Sequence, residues 1–370
     1  MTMIQPADPL AHALAQRDAL LAAVTRVLDG GRYILGTEVD AFEGEFAAYI
    51  GVPHGVGVAS GTDALVLALR TLDVGPGDAV VTVAHTAVAT VAAIELTGAT
   101  PIVVDIDPLR YTLDPQRLAD QLVHHKGLPI KAIIPVHLYG QPADMAAIVD
   151  VATRHGIPVI EDCAQAHGAL IGDQRVGSFG TFGAYSFYPT KNLGALGDAG
   201  GLVCSDPVLA ERARTLRQYG WRERYISDLP GLNTRLDEVQ AAILRVKLPR
   251  LDADNARRQA IAAQYDHALR KTSLVPPPQV AGTMAVYHQY TVLSQNREAL
   301  ANQLRAQGIG SAMLYPMPIH QQPAYASRWG ANVRLPVTEH VARSLLCLPI
   351  HPHLTDADVQ KICEVLATID

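Results

Sequence analysis

Between His54 and Asp162, five short runs rich in β-branched residues alternate with segments of helical period, and few folds accept that rhythm. The runs are His54 to Ala59, Ala79 to Val83, Pro101 to Asp105, Lys131 to Val136 and Pro158 to Asp162. The helical segments between them reach Leu72 and Thr97, then cover Pro115 to Val123 and Ala143 to His155. Strands joined through helices run parallel, and a parallel sheet must be covered on both faces. The expected fold is therefore α/β, a mostly parallel sheet sandwiched by helices. In such sheets ligands sit at the carboxyl ends of the strands.

The flanks add to this frame. Leu10, Leu14, Leu21, Val24 and Leu28 fall at helical spacing and predict one amphipathic helix ended by Gly30-Gly31. After Asp162 the chain turns rich in Gly and aromatic residues, which predicts short strands and tight turns. Helices resume over Pro207 to Tyr219 and over Arg235 to Arg270, the second bent or broken at Pro249. Pro276-Pro277-Pro278 leads into a final region with a strand over Tyr287 to Leu293 and a helix over Arg297 to Gln307. The expected division is a large domain, residues 1–248, carrying the N-terminal helix, and a smaller C-terminal α+β domain, residues 249–370.

Composition serves mainly to exclude. A chain that is 49% hydrophobic and 18% charged has ample core and is no disordered regulator. With a net charge of -6 and no cluster of Lys and Arg, nucleic acid is not an expected partner. Cys163, Cys204, Cys347 and Cys363 form no Cys-x-x-Cys pair, so neither a zinc module nor a disulfide scaffold is expected. The N-terminus lacks the basic flank and apolar run of a signal peptide, and the apolar stretch Ala84 to Leu96 is broken by His85, Thr86, Thr90 and Glu95. The expected setting is the cytoplasm, without a membrane span. The fourteen histidines are dispersed, and no metal site is expected.

Three segments carry chemistry. Ser60-Gly61-Thr62-Asp63 follows a predicted strand and opens a predicted helix, a place whose free N–H groups suit a phosphate, although Ser, Thr and Asp there are also ordinary helix caps. Glu161-Asp162 closes an apolar run and puts a carboxylate at the sheet edge. Lys191 lies between Phe182, Tyr185, Phe187 and Tyr188 on one side and Gly194, Gly197, Gly200 and Gly201 on the other. A lone lysine is usually a surface residue with a packed stem. These surroundings instead desolvate the amine and lower its pKa, as a Schiff-base lysine requires. The interval from Asp162 to Lys191 lets the chain leave the sheet edge, make a small hairpin and return to the same cleft. An acid for a pyridine nitrogen, an amine for an aldehyde and a phosphate cradle together describe a pyridoxal 5'-phosphate site.

The segments SGTDAL, EDCAQAHGA, SFYPTKNLGALGDAGG, GLNTRLDEVQAAIL and YPMPIHQQPAY together resemble the DegT/DnrJ/EryC1/StrS sugar aminotransferases, a family of fold type I pyridoxal phosphate enzymes. The resemblance runs nearly end to end. It implies an internal aldimine at Lys191, Asp162 paired with the pyridine nitrogen and Gln165 beside the phenolic oxygen. Phosphate contacts are implied from the Gly61, Thr62, Asp63 segment, from Ser186, and from Asn233 reaching in from a second subunit, which makes a homodimer with shared sites. His85 matches the position where the family stacks a flat side chain on the ring; the alternative is a satisfied histidine at a helix start.

Because Lys191 is retained, where related sugar dehydratases carry histidine, the resemblance points to transamination rather than elimination. The segments HTAVATVAAIELTGATPIVVDID and YGWRERYISDLPGLNTRLDEVQAAIL look like the subgroup acting on dTDP-3-keto-6-deoxyhexoses. The implied reaction yields a dTDP-3-amino-3,6-dideoxyhexose, with glutamate as amino donor. Arg222 and Arg224 are candidates for the diphosphate, or else solvated loop charges. Tyr188, Tyr315 and His320 are candidates for the sugar. Two alternatives stay open: a 4-keto sugar aminotransferase of the same family, and a ligand-binding regulator without catalysis.

Overall fold

The computed structural model describes residues 3–329 and 333–369. Seven strands build the central sheet: β1 (His54–Val58), β2 (Ala79–Val83), β3 (Thr100–Val104), β4 (Ile130–Ile133), β5 (Ile160–Asp162), β6 (Phe182–Ser186) and β7 (Gly200–Cys204). β3, β2 and β4 pair in parallel, as do β5 and β6, while β7 lies antiparallel between β6 and β1. Single parallel bridges, Ile133 to Val159 and Val136 to Asp162, join the two groups. The order is thus β3-β2-β4-β5-β6-β7-β1, with β7 alone reversed. The predicted run over Lys131 to Val136 shortens at its end: after Ile133, Ile134 still donates to Val81 O and Val136 bridges Asp162.

Alternation along the strands explains why both faces are covered. Val56, Val58, Phe182 and Leu202 pack with Leu65, Leu67 and Leu69 of a helix over Gly61–Thr71. Tyr185, Phe187 and Val203 point the other way, onto Phe42 and Phe46 of a helix over Thr37–Ile50. Phe46 meets both Tyr185 and Phe187 edge-on, at ring separations of 4.8 and 5.1 Å. Two more helices, Pro115–His124 and Met145–Arg154, cover Val81, Val83 and Ile133.

The N-terminal pattern forms two helices instead of one. Pro9–Leu14 is capped by the Asp8 side chain, and Arg17–Gly30 ends at Gly31 in the left-handed region (φ 65°), where glycine carries no Cβ penalty. The predicted break at Pro249 is a single 3-10 turn, Leu248–Arg250, between helices Glu238–Lys247 and Leu251–Leu269. In the C-terminal region Tyr290–Leu293 pairs antiparallel with Leu345–Leu348. Their inward side chains share a core with Tyr265, Leu300, Leu304 and Ile362. Ile4 joins the same core and bridges Ile309, so the first residues of the chain pack against its last third. Among the described residues no helix is long and apolar enough to cross a membrane.

Candidate active site

A cavity of about 260 Å³ opens at the carboxyl edge of the sheet, where β5 and β6 end side by side and β1 ends one strand further on, across β7. The chain leaves β1 at Ser60 and at once begins the helix Gly61–Thr71, so the N-terminus of that helix forms one wall. Ser60 caps it: its hydroxyl accepts from Asp63 N at 3.1 Å and donates to Asp63 Oδ2 at 2.7 Å. Gly61 and Thr62, whose N–H groups precede the helix's own hydrogen-bond ladder, line the cavity. A Cβ on Gly61 would stand 2.5 Å from the Ser186 Cβ, and one on Gly200 would stand 2.2 Å from the Ser60 oxygen. The two glycines therefore let β6 and β7 pass directly beneath the helix start. They bring the Ser186 hydroxyl to the same cradle, where it accepts from Tyr188 N.

Asp162 ends β5 and is buried, lining the cavity. Its Oδ2 accepts from the Thr90 hydroxyl at 2.9 Å and its Oδ1 from Ala164 N at 3.2 Å. Burial pushes its pKa up, opposed by these hydrogen bonds and by Lys191. A cation beside it would draw it back to the carboxylate form. The preceding Glu161 does not reach the cavity. It accepts from Gly177 N, Phe179 N and Gly180 N at 2.7 to 2.8 Å and from His137 Nε2 at 3.0 Å, so it anchors the turn leading into β6. His137 Nδ1 accepts from Ala143 N, which leaves the ring proton on Nε2 for Glu161.

Lys191 lies in the loop after β6. Burial lowers its amine to a pKa of about 8, against the opposing pull of Asp162. The loop is held from two sides. Asn192 Nδ2 donates to Asn255 Oδ1 at 2.8 Å and to Val286 O at 3.0 Å, while the buried Lys247 donates to Gly194 O at 2.6 Å. Gln165 is clamped as well: its oxygen accepts from Tyr139 N at 2.7 Å, which turns its amide nitrogen toward the Tyr315 hydroxyl at 3.0 Å.

Gly61, Thr62, Asp162, Gln165, Ser186, Tyr188 and Lys191 are thus brought to one cavity, with Tyr315 reaching it through Gln165. Other sequence candidates lie elsewhere. The Asp63 carboxylate accepts from the Ser60 hydroxyl, the cap of the helix Gly61–Thr71. His85 is buried outside the cavity with Nε2 against the Tyr139 hydroxyl at 3.0 Å, and Ala87 and Ala89 hold the wall that it was expected to supply. The His85 ring packs edge-on against Tyr139, with 5.7 Å between ring centroids. His320 is buried against Glu339 at 3.3 Å. Arg222, Arg224 and Asn233 are exposed, the first two on a β-ribbon, Trp221–Glu223 with Ile226–Ser227, and none touches the cavity of its own chain. Sequence reasoning missed Thr90, Tyr139 and Lys247. The signal for Thr90 was a hydroxyl four residues after Thr86 in an otherwise apolar helix; Tyr139, at φ 60°, and Lys247 left none.

The donor set fits pyridoxal phosphate: a helix start and a hydroxyl for its phosphate, a carboxyl for its ring nitrogen and a poised amine for its aldehyde. Only proteins that handle amino groups through that cofactor need all of these at one sheet edge. Residues 15–367 match the DegT/DnrJ/EryC1/StrS aminotransferase family, and the chain belongs to it. It is a pyridoxal phosphate-dependent aminotransferase of the nucleotide-sugar type. It is 46% identical to the dTDP-3-amino-3,4,6-trideoxy-α-D-glucose transaminase of Streptomyces venezuelae, over 93% of this chain and 90% of that one. It is 45% identical to the UDP-N-acetyl-3-dehydro-α-D-glucosamine 3-aminotransferase of Acidithiobacillus ferrooxidans, over 99% and 97%. The crystal structure of S. venezuelae DesV in complex with a ketimine intermediate superposes with a TM-score of 0.96 at 44% identity, covering 99% of this chain and 98% of that one.

Proposed function

We propose that the protein transfers the amino group of glutamate to carbon 3 of a dTDP-3-keto-6-deoxyhexose, giving a dTDP-3-amino-3,6-dideoxyhexose for a surface polysaccharide or a glycosylated metabolite. One observation carries the chemistry: a buried lysine with its amine near pKa 8 shares a cavity with a buried carboxyl and a helix N-terminus. Carbon 3 is supported by both curated relatives above, which differ in nucleotide; thymidine is supported by the first of them. Pyridoxal phosphate, when bound, supplies an aldehyde that condenses with amines and a ring that accepts electron density. Gly61, Thr62 and Ser186 would bind its phosphate, Asp162 would hold the proton on its ring nitrogen, and Gln165 would stand beside its phenolic oxygen. Lys191 Nζ, free to exchange a proton near neutral pH, would carry one between the substrate carbon and the cofactor's aldehyde carbon, the shift that turns a keto group into an amine. Steady-state kinetics on matched 3-keto and 4-keto sugars test the regiochemistry. The 3-keto sugar is expected to show the higher kcat/KM, and a preference for the 4-keto sugar overturns carbon 3 while leaving the cofactor chemistry standing.

The working unit in this reading is a homodimer with shared sites. Leu10, Leu14, Leu21 and Leu28 are each half or more exposed along the first two helices, an apolar stripe that suits a subunit interface. Asn233, outside its own chain's cavity, then reaches the phosphate of the partner's site, and Arg222 and Arg224 the diphosphate. Mixing inactive Lys191→Ala with inactive Asn233→Ala chains is expected to restore activity at one of the two sites of each hybrid dimer. Hybrids that form and stay inactive would place Asn233 in its own subunit's site. We further read residues 1–248 as the cofactor-binding domain and 249–370 as a smaller C-terminal domain that also takes up Ile4. The four free thiols support a reducing, cytoplasmic setting.

A further inference from the structure

We propose that Thr90 is a positioning residue for the cofactor: its hydroxyl, itself held by Thr86, fixes the Asp162 carboxylate in the ionised form and orientation that the ring nitrogen needs. The inference rests on the assignment of Asp162 to that nitrogen. Thr90 Oγ1 lies 2.9 Å from Asp162 Oδ2 and 2.9 Å from Thr86 Oγ1, and both threonines are buried. A hydroxyl has one proton. Spent on the carboxylate, it leaves Thr90 only as an acceptor for Thr86, so the two hydroxyls form a directed relay from the cavity wall, which Thr86 lines, to Oδ2.

The setting makes this use of a hydroxyl conspicuous. The helix Val88–Leu96 is otherwise apolar up to Glu95, and a buried helical threonine ordinarily bonds back to the carbonyl four residues earlier. Thr90 instead spends its proton across the fold on a residue seventy-two positions away. The other groups acting on Asp162 are the Ala164 N–H on Oδ1 and, through charge, Lys191. Burial works against the ionised form, and Thr90 is the foremost of the groups opposing it.

Thr90→Val keeps the side-chain shape and removes the donor; Thr90→Ser restores it. A hydrogen bond to a charged group supports an expected loss of about 10- to 100-fold in pyridoxal phosphate affinity for Thr90→Val, read by titrating the cofactor-free protein and following visible absorbance. Nitrogen-15 NMR of labelled cofactor should show the ring nitrogen losing its proton at lower pH in Thr90→Val than in the parent, with Thr90→Ser within about threefold of parental affinity. Parental affinity and titration in Thr90→Val overturn the proposal, as does failure of Thr90→Ser to recover them. If Thr90→Val does not fold, Thr86→Val carries the test, with a shift in the same direction expected and none overturning the relay. Asp162→Asn measured alongside separates the two readings. A nitrogen signal unmoved there removes the assignment of Asp162, whereas a moved one beside an unmoved Thr90→Val removes the role of Thr90 alone.

Discussion

Lys191→Ala is expected to abolish transamination and the visible absorbance of the bound cofactor while the fold persists. The reason is chemical. Among the described residues no second amine lines the cavity: the other lysine with a lowered pKa, Lys247, donates to Gly194 O behind the loop. Alanine leaves that loop's anchors, Asn192 and Lys247, in place, and it removes a desolvated amine whose charged form burial disfavours. Circular dichroism and melting temperature close to the parent's, with turnover lost, are the expected pair of results. In the parent, the amine must be neutral to take up an aldehyde. Capture of pyridoxal phosphate should therefore speed up as pH rises toward about 8 and level off above it. Borohydride reduction followed by peptide mapping to any other lysine would overturn the assignment.

Asp162→Asn is expected to lower kcat by about 10²- to 10⁴-fold with the cofactor still bound. An amide cannot hold a proton on the ring nitrogen through charge. Breaking a buried ion pair on one side costs about 3–5 kcal/mol, and each 1.36 kcal/mol in the barrier is about tenfold in rate. The fold has little reason to suffer. The neighbouring Glu161, with three backbone N–H groups and His137, anchors the turn before β6, and the amide that replaces the Asp162 carboxylate retains an oxygen for Thr90. Near-parental kcat in this variant would contradict the role. A fall that tracks a lower melting temperature would instead mark Asp162 as structural.

Period and residue type were legible in the order of residues alone. Five β-branched runs spaced by helical segments determined a parallel sheet with two covered faces, because period and connection length are local properties of a chain. Asp162 and Lys191 were legible for a different reason: a pyridine nitrogen calls for an acid and an aldehyde for an amine, and a sheet edge with a short return brings these two to one cavity. The tertiary structure decided what depends on rotation and register. It put Ala87 rather than His85 at the cavity, turned Asp63 to the Ser60 hydroxyl, buried His320 on Glu339 and split the first helix at Ala15-Gln16. It also brought Thr90 across seventy-two positions to Asp162, and Lys247 across fifty-three to the lysine loop. Hydrogen bonds of that kind are set by angles accumulated through several elements, and a turn of one residue at the start of a helix swings the next side chain by about 100°. Composition and spacing carry no record of that angle, so such partners exist only once the sheet has closed.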